Sequence, residues 1–316
     1  MERFKHMVDG HCDTLTAILE QNRDIGRYAP EGQLDLPRMA WGGINVQFFA
    51  AFISPRFRDL ALKKCLNYID VFYAVMEKNS GVIAPARNAD DILRINTAGK
   101  IAALLAVEGG EALAGDLGVL RILYRLGVRA LTLTWNGRNE LGDGVGEGNR
   151  AGGLSLLGCS VVEEMNRLGM LVDVSHLGEK GFWDVAEVSR QPFAATHANC
   201  RALCRHPRNL TDGQIEHLAR TGGVLGLSFV PGFVHSSEAG IEQFIRHVDH
   251  IASRFGVGCI GLGSDFDGMD EYTPGLRDVT CFPYLAEELL ARGYSDNTVS
   301  DIMGGNWMRL LKKVLR

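Results

Sequence analysis

At 316 residues the chain exceeds the usual size of one domain, yet an α/β barrel typically needs about 250 residues as a single unit. Hydrophobic residues make up 46% and charged residues 22%, ordinary for a globular protein with a sizeable core. A formal charge of −5 leaves no basic surplus to neutralise phosphates, which argues against a nucleic-acid or anionic-membrane partner.

The opening stretch MERFKHM, Met1 to Met7, has neither an apolar h-region nor a small-residue cleavage site, so no secretory leader is expected. Apolar runs such as Ile101 to Val107 are too short to span a bilayer. Seven cysteines, an odd number without regular spacing, suit reduced thiols and a cytoplasmic location. Cys200 and Cys204, four apart, read as small core residues rather than as a metal pair.

Eight short apolar runs rich in β-branched residues alternate with helical patterns. The first, Met7–Val8, leads into Asp9-Gly10-His11, and the second is Ile44 to Ile53. Between the second and third, Leu62, Cys65, Leu66, Ile69, Phe72, Tyr73 and Met76 recur at three- and four-residue spacing, one face of an amphipathic helix. The third and fourth runs are Ile101 to Val107 and Arg129 to Thr134. The segment Asn136 to Gly153 then carries seven glycines in eighteen residues, which predicts a mobile loop over a functional site. A helix from Ser155 to Leu168 should end on Gly169 as its C-cap. The fifth and sixth runs are Met170 to Val174 and Pro192 to Thr196. Thr211 with Gln214 offers a capping box for a helix over Ile215 to Arg220. Gly223 to Val230, a helix over Ile241 to Phe255, Cys259 to Gly263 and two helices between Tyr284 and Arg316 complete the chain.

Near-continuous apolar strands mean that both sheet faces are covered, as in a parallel sheet wrapped by helices. Eight of them, each followed by a helix or loop excursion, predict a (β/α)8 TIM-type barrel spanning residues 1–316 as one domain. A doubly wound open sheet is the competing architecture, but no G-x-G-x-x-G follows the first strand.

Functional residues of such barrels sit where the strands end. The expected ends carry Asp9, His11 and Asp13 (first), Glu108 (third), Trp135 (fourth), His176 (fifth), His197 (sixth), and Asp265 and Asp267 (eighth). Residues i and i+2 of an extended chain project to one side, so His11 and Asp13 can reach one point in the barrel mouth. Imidazole nitrogen and carboxylate oxygen are both good Zn²⁺ ligands. An H-x-D pair alone reads equally as a hydrogen-bonded core histidine. The set carries more weight, because only nine histidines occur and three fall at strand ends. Glu108 precedes Gly109–Gly110, where the backbone can turn sharply, and a metal would compensate its buried charge; a salt bridge to a loop arginine is the alternative. His6, His206, His217, His235, His247 and His250 are assigned to no metal site, the last two being read as surface or helix-packing residues. Asp267 is read as fixing its loop.

The segments DGHCDT from Asp9, VEGG from Val107, EEMNRLGMLVDVSH to His176, ATH to His197, HPRN from His206 to Asn209 and GLGSDFDG from Gly261 to Gly268 resemble the membrane (renal-type) dipeptidases and their soluble bacterial relatives. The resemblance implies a β/α barrel that assembles as a homodimer and hydrolyses dipeptides, including some with a C-terminal D-residue. It implies two zinc ions, His11 and Asp13 binding one, His176 and His197 the other, with Glu108 bridging. Asp265 would hold the attacking water, a hydroxide shared by the ions, and shuttle its proton; Arg208 would contact substrate. Mammalian members carry a histidine in LTLTH that contacts substrate and intermediate. This chain reads LTLTWNGRN, placing Trp135 there, and indole donates a hydrogen bond but cannot titrate. Another amidohydrolase reaction, on an N-acyl amino acid or a cyclic amide, would use the same metal chemistry. A non-catalytic metal-binding barrel would lack a water-handling aspartate, and Asp265 is present.

Overall fold

The computed structural model describes residues 4–316. Residues 1–3, part of the stretch expected to carry no leader, lie outside the described residues.

The strands are β1 (Val8–Asp9), β2 (Val46–Phe52), β3 (Ile83–Pro85), β4 (Ile101–Glu108), β5 (Val128–Thr132), β6 (Leu171–Asp173), β7 (Ala194–Ala198), β8 (Val224–Leu227) and β9 (Ile260–Leu262). All pairings are parallel, in the order β1-β2-β4-β5-β6-β7-β8-β9, with β3 beside the first half of β4. The seam between β9 and β1 is closed by backbone bonds: Gly10 N–H to Leu262 O (2.9 Å), Asp265 N–H to His11 O (3.2 Å) and Asp13 N–H to Phe266 O (2.8 Å). The result is an eight-stranded β/α barrel, with β3 as a short addition that the sequence reading did not include.

Period-two alternation sorts β4 into two faces. Ile101, Ala103, Leu105 and Val107 join the large core between sheet and helices. Ala102, Leu104 and Ala106 join a second core with Val8, Val46, Ala130, Leu171, Ala194 and Val224. Seven strands of the closed sheet share only the barrel interior, so this second core fills it. By the same alternation Glu108, at the end of β4, points into the barrel mouth.

Trp307, from the helix Asn306–Val314, plugs the interior. It is fully buried, its indole N–H donates to Leu262 O (2.9 Å), and its ring occupies the space left by the absent side chains of Gly10, Gly226 and Gly261. Truncating such a residue to alanine costs about 3–5 kcal/mol.

The helices follow local signals. Thr211 and Gln214 form the reciprocal capping box of Asp212–Thr221, and Ser155 caps Leu156–Leu168, which ends on left-handed Gly169. In Ala61–Lys78, Cys65, Tyr68, Ile69, Phe72 and Met76 are the buried stripe. Among the described residues no helix is long and apolar enough to cross a membrane.

The glycine-rich segment differs from the expected mobile loop, because its backbone is densely tied. Gly144 N–H donates to Gly137 O (3.2 Å), Gly146 N–H to Asn136 O (2.7 Å), Val145 N–H to His176 O (2.8 Å) and Asp143 N–H to Gly153 O (3.1 Å). Arg138 and the Gly152 N–H both bond the Asp143 carboxylate. Several glycines here serve close backbone approach: side chains at Gly144 or Gly146 would collide with Asn136.

Candidate metal centre

His11 lies two residues beyond β1, Asp13 immediately precedes the helix Thr14–Gln21, Glu108 ends β4, and His197 lies in β7. His176 follows β6 and Asp265 follows β9, both left-handed at φ 66° and 68°. All six are buried. Two aspartates beneath them hold the strand ends. Asp9 accepts from Ser264 N–H and O–H (both 2.7 Å) and Gln47 Nε2 (2.8 Å); Asp173 accepts from Thr132 Oγ1 and Thr196 Oγ1 (both 2.6 Å), Thr196 N–H and Ser175 N–H (both 2.9 Å).

Glu108 is at the centre. Its Oε1 is 2.8 Å from His176 Nε2 and 3.6 Å from His197 Nε2, while Oε2 is 3.4 Å from His11 Nε2. His11 Nε2 is also 3.8 Å from Asp13 Oδ2 and 3.9 Å from Asp265 Oδ1. Among the described residues His11 Nε2, Glu108 Oε2 and Asp13 Oδ1 are buried without a hydrogen-bond partner.

The tautomers sharpen this. His176 Nδ1 lies 2.8 Å from Asn136 Oδ1, and a carboxamide oxygen only accepts, so Nδ1 carries the proton. Thr196 donates its hydroxyl proton to Asp173, so it can only accept from His197 Nδ1 at 2.9 Å. Burial first, then nearby positive charge, holds both rings neutral: His176 falls to about 4 and His197 well below its usual value. Both Nε2 atoms therefore present lone pairs, 2.9 Å apart and facing a carboxylate. Acceptors converging this closely in a buried site suit a cation between them. The groups His11–Asp13–Glu108, Glu108–His176–His197 and His11–His197–Asp265 each place their ligand atoms within 4.8 Å of one another, so the donor set fits divalent metal.

Charge sharing shifts the other groups. Burial pushes His11 down, but Glu108 and Asp13 outweigh it and raise the imidazole well above its ordinary range. Burial, then repulsion from Glu108, raises Asp13 to about 7; burial, countered by His11, leaves Asp265 raised to about 6.

A cleft of about 540 Å³ opens over the cluster, lined by Asp13, Glu108, Trp135, His176, Arg208 and Asp265 among others. Arg208 is buried and donates through Nη2 to His197 O (3.0 Å), while Nε and Nη1 have no partner among the described residues. Burial lowers it to about 10, so it stays cationic near neutral pH. Trp135 lies between Phe52 (5.5 Å between ring centroids) and His176 (5.8 Å), forming one apolar wall.

Several lining residues were given no site role from the sequence: Phe52, Asn136, Phe233, Met269 and His206. His206 meets the Phe233 ring at a tilt (4.6 Å between centroids) and accepts from the Arg208 backbone N–H (3.2 Å); the HPRN segment contained that signal. Gly268 packs against the Asp13 and Asp265 carboxylates, leaving no room for a Cβ. Asp267 does fix its loop, accepting from Thr14 Oγ1 (2.6 Å), Gln33 N–H (2.9 Å) and Arg23. Of the two readings for His247 the helix-packing one holds: it is fully buried, with Nδ1 accepting from Cys200 N–H (3.1 Å) and Nε2 donating to Val234 O (2.9 Å). His250, on the same helix, meets Asp212 at 2.8 Å.

The family model for membrane dipeptidases, peptidase family M19, matches residues 1–316. Dipeptidase tcpJ of Claviceps purpurea (strain 20.1) is 36% identical over 324 residues, covering 98% of this chain and 75% of its own length. A solved metallopeptidase of family M19, dipeptidase AC, is 33% identical with a TM-score of 0.91 over 98% of both chains. A metallopeptidase from Rhodobacter sphaeroides, liganded with a phosphinate mimic of the dipeptide L-Ala-D-Ala, is 32% identical with a TM-score of 0.90, over 98% of this chain and 99% of that one. The chain belongs to the membrane dipeptidase family, peptidase family M19.

Proposed function

We propose that this protein, acting as one hydrolase unit over residues 1–316, is a two-zinc dipeptidase for small dipeptides, including some with a C-terminal D-residue. The observation that carries the reading is the set of lone pairs converging around Glu108 at the floor of the cleft that holds Arg208. His11 and Asp13 would hold one ion, His176 and His197 the other, and Glu108, with one oxygen toward each side, would bridge them. Bound there, the ions supply Lewis acidity to the scissile carbonyl and lower the pKa of water from 15.7 to about 7.

The chain's own groups supply the rest. Asp265, beside His11 at the edge of the cluster, accepts a proton from the attacking water and delivers it to the leaving amine. Arg208, whose Nε and Nη1 have no partner among the described residues, pairs with the substrate carboxylate or the developing oxyanion. Trp135 and Phe52 narrow the cleft on one side and favour small side chains. The relative liganded with an L-Ala-D-Ala mimic supports a dipeptide with a C-terminal D-residue. The same reading includes a homodimer as the assembled form. It also takes the cytoplasm as the location, supported by seven unbridged cysteines.

Glu108→Ala tests the arrangement. Metal analysis should show loss of both ions and dipeptide hydrolysis should vanish; a variant that keeps its full metal content contradicts the bridging role.

A further inference from the structure

The two histidines of the His176–His197 pair are held by different devices. His197 is braced from inside the barrel, through Thr196 to Asp173, all of it buried. His176 sits at the mouth on a left-handed residue, and its Nδ1–H donates to Asn136, the first residue of the glycine-rich segment. Asn136 is itself fixed by that segment. Its carbonyl accepts from Gly146 N–H (2.7 Å), and Gly144 and Gly146 press so closely on it that neither can carry a side chain. The segment also grips His176 directly, Val145 N–H donating to the His176 carbonyl at 2.8 Å.

Which imidazole nitrogen is free for a metal is set by the bond the other nitrogen makes. We propose that Asn136 is a positioning residue for the metal centre: its carboxamide oxygen locks His176 in the Nδ1–H tautomer and aims Nε2 at the ion. The glycine-rich segment is the brace that presents that carboxamide. This rests on the metal-centre reading above and goes beyond it by assigning a role to a residue that touches neither ion nor reacting atoms.

The test is metal titration of metal-free full-length protein with Zn²⁺, and with Co²⁺ to follow its visible absorption, in wild type, Asn136→Ala and Asn136→Asp. The backbone bonds of residue 136 survive both substitutions. Asn136→Ala should weaken one of the two sites by about 10–100-fold, alter the Co²⁺ spectrum of that site and leave the other within about threefold. Asn136→Asp should restore the weakened site. An aspartate can only accept, so rescue also reads the direction of the bond to Nδ1. Unchanged affinities in Asn136→Ala, or a loss at both sites that aspartate does not rescue, overturn the proposal while leaving the metal reading intact. Wild-type protein that takes up no ion overturns the metal reading and this proposal with it.

Discussion

Replacing Asp265 with asparagine separates proton transfer from metal binding. Asparagine tolerates the left-handed backbone at φ 68°, so the loop between Ser264 and Gly268 should keep its shape. The side chain retains one acceptor oxygen but cannot take up a proton. Asp265 Oδ1 lies 3.9 Å from His11 Nε2, at the side of the cluster where Asp13 and Gly268 also meet. Loss of a positioned general base costs about 10²–10⁴ in turnover, or about 2.7–5.5 kcal/mol on the activation barrier. Steady-state kinetics on an Ala-Ala dipeptide should therefore show kcat falling by that factor with KM little changed. Metal analysis of the same sample should show wild-type content. The measurement is sharp because Asp265 also belongs to the group His11–His197–Asp265, whose ligand atoms could hold an ion. If the substitution removes an ion, Asp265 is a ligand rather than a base; if turnover stays near normal, another group moves the proton.

Arg208→Ala removes Nε and Nη1, two donor nitrogens without a hydrogen-bond partner among the described residues. A charged hydrogen bond of about 1.5–3 kcal/mol implies that the kcat/KM preference for a free dipeptide over its C-terminal amide should drop about 10–100-fold; an unchanged ratio would move Arg208 to the oxyanion or to structure. Trp135→His opens the wall beside Phe52 and adds a titratable donor. A wider range of accepted dipeptides and a new limb near neutral pH are expected, and an unchanged ranking and profile would show that Trp135 only packs. His247 is lowered to about 4, chiefly by burial, against 6.5 unfolded. The unfolded chain thus binds the extra proton between those values, so this contribution is complete above pH 6.5 and is lost as pH falls toward 4. His247→Gln should flatten the urea-unfolding free energy across that window by up to about 1.4 kcal/mol per pH unit, and parallel slopes for the two proteins would count against it.

The barrel was legible because its signals are local and repeated. Runs such as Ile101 to Val107 are apolar on both faces, and caps at Ser155, Gly169 and Thr211 mark helix ends without tertiary help. β3 was not, since it pairs over only three residues and ends in Pro85. The strand-end rule brought His11, Glu108, His176, His197 and Asp265 to one buried cluster. What it could not show was how they are held. The left-handed turns at His176 and Asp265, and the Asn136 bond, depend on segments distant in the chain. Composition misled in one place: glycines over Asn136 to Gly153 suggested motion, whereas several serve close backbone approach. His247 stayed open between a surface and a helix-packing role because helical position alone does not reveal the Cys200 and Val234 partners that bury it.

The most direct test of the central claim is metal stoichiometry measured together with hydrolysis of L-Ala-L-Ala and L-Ala-D-Ala. The arrangement around Glu108 predicts two divalent ions per chain, loss of dipeptide hydrolysis on chelation and recovery as zinc is restored to two equivalents. A fully active chain carrying one ion, or hydrolysis that survives complete metal removal, would contradict it.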